Sequence, residues 1–449
     1  MLTYDLKGKN KYYSLYAYIR DDILSGRLKG GERLPSKRIM AENLCVSVIT
    51  VQTAYEQLLA EGYIKSRERS GYFVENVNAD FYGRREIPAE PPESEKKYKI
   101  DFVKGNAATR LFPFSVWAKL MRRVLSDCGE HLLERVPCDG DRELKRAVAS
   151  YLYRARAIDA DPRYVVIGAG AEYLYGIIVQ LIGREKIFAV ENPGYGKISA
   201  SYALNGARCK YIAVTGNGVN CEDVEKSGAD VLHVSPSHQF PTGAVIPASG
   251  RARIIGWANS GDRYVVEDDY DSEFRLSGKP LQCMRNLCPD KVIYMNTFSK
   301  SLAPSMRMGY MVLPPELYEK YLKLFGHSAC VVPLFEQKAL ALMLDGGYFE
   351  RHINRLRNYY RTVRRVVLQK AENLGLPCIV KDTGSGLHLL AEFPTAPSDE
   401  YIKRCAEENG IAVKCLSDYL LSPFETEKRC VVINYSGVTP EQVNGIEIK

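Results

Sequence analysis

The sequence predicts an α/β protein in two parts, a small helical head with a hairpin and a large body built on a parallel-rich sheet. Three observations carry that prediction. From residue 100 onward, short β-branched runs alternate with longer amphipathic stretches, the order of a parallel sheet covered on both faces. Between residues 76 and 99, "NVNADFYGRREIPAEPPESEKKYK" is rich in Pro, Glu, Lys and Arg and poor in apolar residues, as a solvated linker is. Ahead of that break, three helical segments run into a hairpin pattern. With 449 residues, 46% of them hydrophobic, the chain has material for two or three cores. The boundaries are therefore set at 1–76 for the head, 77–99 for the linker and 100–449 for the body. A flexible linker of that length spans roughly 25–30 Å.

Bulk composition narrows the function. A formal net charge of +7 permits nucleic acid as a partner without requiring it. The twelve cysteines are scattered, with no C-x-x-C pair, which points to free thiols in a reducing cytosol and not to a disulfide framework or zinc site. No run of about 18 apolar residues suggests a membrane span. The N-terminal "MLTYDLKGKNKYY" is too polar for a secretory signal. A soluble cytoplasmic protein is expected.

In the head, a first helix is expected from about Tyr12 to Leu24. A turn through Gly26, Gly30 and Gly31 then leads to "LPSKRIMAENL", where Ser36 caps a second helix. A third follows Val46, with Val51, Ala54, Tyr55 and Leu58 at i, i+3, i+4 and i+7 forming its core stripe. Its other face presents Ser47, Thr50, Gln52 and Thr53. "GYIKSRERSGYFV" reads as a hairpin with a basic tip. Helix–turn–helix plus hairpin is a winged helix, whose third helix enters the major groove while the wing grips phosphates. Up to Glu75 the chain carries twelve basic and nine acidic residues, with Arg33, Lys37, Arg38, Arg67 and Arg69 where contacts are needed. A three-helix module with a merely solvated charged face has the same periodicity.

The body contributes strands at "RYVVIG", "KIFAV", "ADVLHVS", "RYVVED" and "KVIYMN". In such sheets, ligands sit beyond the carboxyl ends of the strands. Directly after the last of these strands, "TFSKSLAPSMRMGY" sets Lys300 between hydroxyl residues, with Arg307 seven positions on. A lysine amine becomes a nucleophile toward aldehydes when burial or nearby cations lower its pKa. The aldehyde cofactor with that need is pyridoxal phosphate, whose phosphate takes hydroxyls, a guanidinium and helix-end amides. Thr297, Ser299 and Arg307 supply those groups. An isolated lysine there would read as a surface residue, so the companions matter. Asp268 closes a strand and suits the protonated ring nitrogen, and Tyr270 suits the ring hydroxyl. The turn at Gly170 and Ala171 opens a helix toward an anion. Tyr195, in "VENPGYGK", is placed to stack on the ring.

The wording of these segments adds a resemblance. "LPSKRIMAENLCVSVITVQTAYEQLLAEGYI" resembles the GntR-type winged helix. From about Ile100 onward the motifs resemble fold-type I aminotransferases. "SPSHQFPTG", "VVEDDYDSEFR" and "NTFSKSLAPSMRMGYMVLP" are similar to the MocR-type regulators, which join a GntR-like head to an aminotransferase-like body. That resemblance implies DNA contacts from Arg38, Ser47, Thr50 and Gln52, with Gly71 of the wing near the minor groove. It assigns Lys300 to the covalent link with pyridoxal phosphate, Asp268 to the ring nitrogen and Tyr270 to the ring hydroxyl. Arg307, Thr297, Gly170 and Ala171 would hold the phosphate, with Tyr195 over the ring. His238 belongs to a family motif without an assigned role, and a packed histidine reads equally well. The implied fold is a large parallel-rich sheet with a smaller α/β subdomain, in a homodimer for which a head-to-tail arrangement is one expectation.

Three positions depart from the pattern. Val48 replaces an arginine usual at the start of the third helix, so a phosphate or base contact is missing. Phe240 replaces the asparagine of many aminotransferases before "PTG", leaving Tyr270 alone on the ring hydroxyl. Val432 falls where aminotransferases hold the substrate α-carboxylate with an arginine. Arg429, three residues earlier on a strand, points to the opposite face. Lys197 would offer another carboxylate partner, although it reads equally as an exposed loop lysine. Two functions follow: a transcriptional regulator that binds an operator in double-stranded DNA and senses a small amine, an amino acid or pyridoxal phosphate itself, or a working aminotransferase with an appended head.

Overall fold

The computed structural model describes residues 4, 6, 10–77, 98–105, 108–276, 281–381, 386–423 and 429–447. The chain divides into two compact units, Met1–Glu95 and Lys96–Lys449. Most of the expected linker, residues 78–97, lies outside the described residues.

The first unit contains helices α1 (Lys11–Leu24), α2 (Lys37–Leu44) and α3 (Val48–Ala60), then strands β1 (Ile64–Arg67) and β2 (Gly71–Val74). Serine starts two of the helices. Ser36 Oγ accepts from the Ile39 amide at 3.3 Å, and Ser47 Oγ accepts from the Thr50 amide at 3.1 Å. Each cap contributes about 1 kcal/mol. The expected stripe Val51, Ala54, Tyr55 and Leu58 is fully buried against Leu15, Ile19 and Met40. Tyr55 buries its ring because its hydroxyl finds the Pro35 carbonyl at 3.0 Å. β1 and β2 form an antiparallel hairpin that pairs Ile64 with Val74 and Arg67 with Gly71, and Arg33 bridges to Phe73 at its edge.

The second unit opens with β3 (Ile100–Asp101), α4 (Phe114–Cys128), α5 (Arg142–Arg156), β4 (Val165–Gly168) and α6 (Ala171–Ile182). Next come β5 (Ile187–Asn192), α7 (Gly196–Leu204), β6 (Arg208–Thr215), β7 (Gly218–Val219), α8 (Cys221–Lys226) and β8 (Val231–Val234). α9 (Ala248–Asn259), β9 (Tyr264–Asp268), β10 (Val292–Thr297), β11 (Gly309–Val312), α10 (Pro315–Phe325) and α11 (Leu334–Asp345) complete the larger layer. The eight-stranded sheet runs β4-β11-β10-β9-β8-β5-β6-β7. β10, β9, β8, β5 and β6 are parallel, and buried apolar clusters lie on both faces.

One detail refines the expectation of a largely parallel sheet. β11 is antiparallel to both neighbours, β10 and β4. Its amino-terminal end therefore lies beside their carboxyl ends, and the segment that enters it joins the ligand side of the sheet.

The long α12 (Tyr348–Asn373) leads to the smaller subdomain: β12 (Ile379–Lys381), β13 (His388–Glu392), α13 (Asp399–Glu408), β14 (Ile411–Ala412), β15 (Lys414–Cys415), β16 (Cys430–Asn434) and α14 (Pro440–Asn444). Its four-stranded antiparallel sheet has the order β12-β13-β16-β15, and β14 pairs with β3 from the start of the unit. Among the described residues, no helix is long and apolar enough to cross a membrane.

Candidate functional site

In the first unit, Lys37 ties the expected DNA-facing elements together. Its Nζ donates to Gln52 Oε1 of α3 at 3.4 Å and stands 6.0 Å from the Tyr72 ring of the hairpin. Gln52 Nε2 donates to Glu56 at 2.8 Å, and Ser47 shares a 2.8 Å hydrogen bond with Thr50 Oγ1. Arg33, Ser36, Arg38, Arg67 and Arg69 are exposed. The Arg67 guanidinium lies 4.8 Å from the Phe73 ring, and Arg69 turns the wing at φ 58°. Gly71 sits at φ +104°, with the Arg33 guanidinium 3.6 Å from where a Cβ would be. Sequence reasoning missed Ile49. With Val48 it exposes a large apolar side chain on the first turn of α3, at 75% and 42% of full exposure.

In the second unit, sheet register assembles the other candidate site. Gly168 of β4 pairs with Gly309 of β11, Gly309 pairs with Thr297 of β10, and Met295 pairs with Asp268 of β9. Four strand ends thus meet at one rim. Arg307, which enters β11 in a left-handed turn at φ 44°, reaches the start of α6. There its Nη2 donates to the Ala169 carbonyl at 3.3 Å and meets Glu172 at 3.4 Å. Gly170 is at φ +86°, and a Cβ on it would lie 3.2 Å from the guanidinium. No side chain caps α6, so its leading amides at Ala171 and Glu172 remain open to an anion. Lys197 is exposed on the first turn of α7, 3.8 Å from Glu172.

Lys300 follows Thr297 and Ser299 on the loop leaving β10. Burial lowers its pKa, with Asp271 opposing, and its Nζ donates to the Gly105 carbonyl. A Cβ on Gly105 would fall 2.9 Å from Lys300 Nζ and 2.5 Å from Asn434 Nδ2, so only glycine fits there without a shift. Neither Gly105 nor Asn434 was anticipated. Both lie far away in sequence and carry no motif.

Behind the rim, Asp268 is buried at 6% exposure. Tyr175 of α6 donates to its Oδ2 at 2.8 Å. His233 Nε2 stands 3.3 Å from the same oxygen, but not at hydrogen-bonding geometry. Tyr202 of α7 shares a 2.7 Å hydrogen bond with His233 Nδ1. The neighbouring Asp269 has a different task. It takes the Arg156 guanidinium with both oxygens, at 2.8 and 3.1 Å, and the Tyr294 hydroxyl at 2.7 Å.

Tyr270 lies half-buried beyond Asp268, with desolvation followed by Asp271 pushing its phenol well above the usual range. Its hydroxyl is 3.3 Å from His238 Nδ1, which in turn lies 2.8 Å from Asp271 Oδ2. Tyr195, 45% exposed, meets the Phe240 ring edge-on with centroids 6.0 Å apart. Phe240 also packs on His388 and Tyr419, both at 5.1 Å. On β16, Val432 is opposite Leu390 and Asn434 is opposite His388. Side chains alternate across a strand, so Val432 shares the face of Asn434, whose amide lies with Lys300 Nζ around Gly105. Arg429 is on the other face, where its charge acts on Glu400 of α13.

These residues fit a phosphate-bearing aldehyde. The open helix start and guanidinium suit the phosphate, a depressed lysine suits the carbonyl carbon, and a buried carboxylate suits a ring nitrogen. Comparisons with known proteins agree. The family "Aminotransferase class I and II" matches residues 99–446, and "Bacterial regulatory proteins, gntR family" matches residues 11–74. The HTH-type transcriptional regulator YdeL of Bacillus subtilis (strain 168) is 34% identical over 437 residues, covering 96% of this chain and 94% of its own. The probable rhizopine catabolism regulatory protein MocR of Rhizobium meliloti is 33% identical over 447 residues, covering 95% and 90%. A kynurenine aminotransferase of Pyrococcus horikoshii shares the fold, with TM-score 0.69 and 23% identity over 79% of this chain and 90% of that one. With a gntR-type head ahead of an aminotransferase class I and II body along the length of such relatives, the chain belongs to the MocR-type family of HTH transcriptional regulators.

Proposed function

We propose that this regulator binds pyridoxal phosphate through Lys300 and uses it to sense a small amine or amino acid, passing the outcome to double-stranded DNA held by its head. One observation carries the reading: a lysine whose pKa burial lowers, at a strand-end rim that also gathers Asp268, Thr297, Arg307 and the start of α6. When bound, the cofactor supplies an aldehyde that condenses with amines and a ring that withdraws electrons. The chain does the rest. Arg307 and the amides of Ala171 and Glu172 bind the phosphate, with Thr297 and Ser299 offering hydroxyls. Asp268 holds a proton on the ring nitrogen, and Tyr270 hydrogen-bonds the ring hydroxyl. Tyr195 and Phe240 cover the ring and exclude water. Lys300 Nζ, its pKa lowered by burial, would be the amine that holds the aldehyde and would carry a proton when an incoming amine releases it.

Sensing further requires that the effector bind two arrangements of the protein with different affinity. A homodimer would give the heads two half-sites to read. Lys300→Ala tests the core of this reading. The purified variant should lack the visible absorption of lysine-bound pyridoxal phosphate and its response to amines, whereas retention of both would refute the assignment. A working aminotransferase is the second reading, favoured by the Lys300, Asp268 and Tyr270 set and opposed by Val432. Sustained turnover of an amino donor with a keto acid would establish it.

A further inference from the structure

The helix starts of the first unit expose hydrocarbon. Among the described residues of that unit, the exposed large aliphatic side chains are Ile39, Val48 and Ile49, at 50%, 42% and 75%. All three lie on the first turns of α2 and α3. A lone exposed apolar residue needs no explanation. Here they gather at two helix starts that the 3.4 Å hydrogen bond from Lys37 to Gln52 ties together. Isoleucine and valine also form helix less readily than arginine, lysine or glutamine, so helix stability does not account for them.

The buried stripe Val51, Ala54, Tyr55 and Leu58 fixes which way α3 faces. Ile49 falls opposite that stripe, in one row with Gln52, Thr53 and Glu56. The polar groups around it are engaged within the head. Ser47 Oγ and Thr50 Oγ1 share a 2.8 Å hydrogen bond, and Gln52 donates to Glu56 while it accepts from Lys37. Thr53 Oγ1 donates to the Ile49 carbonyl at 3.0 Å. What the start of this face presents outward is therefore the Ile49 side chain. The occupant is a polyanion by charge: neither α2 nor α3 has an acidic residue in its first turn, and α2 opens with Lys37 and Arg38. On the major-groove edges of a duplex, the apolar group is the 5-methyl of thymine.

We infer that Ile49 is a sequence-reading residue that packs on the 5-methyl group of a thymine in the major groove. This rests on the reading that the head holds double-stranded DNA, and it names the chemistry by which that DNA is chosen. Covering one methyl group with hydrocarbon gives a preference of about fourfold in affinity.

The test uses the full-length protein, with pyridoxal phosphate present, and a pool of duplexes with randomised centres enriched by repeated binding. In the enriched duplex each thymine is replaced in turn by deoxyuridine, which removes the methyl group and keeps the hydrogen-bonding edge. Fluorescence anisotropy at fixed salt reads the affinity. At least one replacement should weaken binding by about fourfold. In Ile49→Ala the same replacement should change affinity by less than about 1.5-fold, whereas Ile49→Val should keep most of the difference. The position is exposed, so neither change opens the core, and the uracil scan of the parent protein needs no variant. An enriched duplex indifferent to every replacement would overturn the inference and turn Ile49 toward another surface. A methyl preference that survives Ile49→Ala would overturn it as well. Failure of any duplex to enrich would instead overturn the DNA reading beneath it.

Discussion

The hydroxyl of Tyr175 donates to Asp268 Oδ2 across 2.8 Å, joining the second tyrosine of α6 to the end of β9. This phenol anchors the carboxylate that the proposed function sets against the ring nitrogen. Hydrogen bonds to a charged group contribute about 1.5–3 kcal/mol. Tyr175→Phe should therefore weaken pyridoxal phosphate binding by roughly 10-fold or more. Equilibrium dialysis of the cofactor against variant and parent reads the change directly.

Glu191, at the end of β5, gives a pH signature. It is fully buried, one oxygen takes only the Ser235 amide at 3.3 Å, and the other has no partner among the described residues. Burial raises its pKa to about 8. A carboxyl whose folded pKa lies above its unfolded value binds more protons in the native state, so stability falls as pH rises from about 4.5 to about 8 and then levels off. Glu267 and Glu273, both raised to about 7, add the same sign over a lower window. Glu191→Gln keeps the shape without the charge, so the decline above pH 7 should flatten. Urea unfolding at several pH values measures it.

Arg156 and Asp269 form a buried pair at 2.8 Å with nearly no solvent contact. Removing one partner strands the other charge. Asp269→Ala should cost about 3–5 kcal/mol of stability, seen as a lower denaturant midpoint. The same change in Asp230, a half-exposed partner of Lys186, should cost no more than about 1 kcal/mol from the ion pair itself.

Val48 opens α3 with an exposed apolar side chain, at the position where the resemblance to the GntR-type winged helix implies an arginine. Val48→Arg adds a cation at the end of the helix that approaches phosphates. It should tighten binding to any duplex at low salt and steepen the salt dependence by about one unit of slope. Gel-shift titrations at several salt concentrations give that slope. An unchanged slope would place Val48 away from the phosphates.

Much of the chemistry was legible in sequence because each motif is local. Lys300, Thr297, Ser299 and Arg307 lie within one loop, and Asp268 and Tyr270 are two residues apart. The caps Ser36 and Ser47 and the stripe from Val51 to Leu58 are short-range patterns that helical geometry enforces. Arg429 was excluded by the same logic, since alternation along a strand turns it away from Val432. The residues that were missed share the opposite property. His388 lies inside the apolar run "GLHLLAE", Asn434 ends another, and Gly105 precedes any recognised motif. Tyr175 and His233 are buried mid-element, where sequence marks them only as core.

The sequence by itself determined the two units and the elements within them and singled out Lys300 as the candidate reactive lysine, because those follow from periodicity, turn chemistry and short spacing. Tertiary structure alone decided what surrounds that lysine. The antiparallel insertion of β11 carries Arg307 to the start of α6, and the pairing of β13 with β16 aligns His388, Leu390, Val432 and Asn434 on one face. Strand register acts over more than a hundred residues of chain, and no local pattern encodes which strands become neighbours.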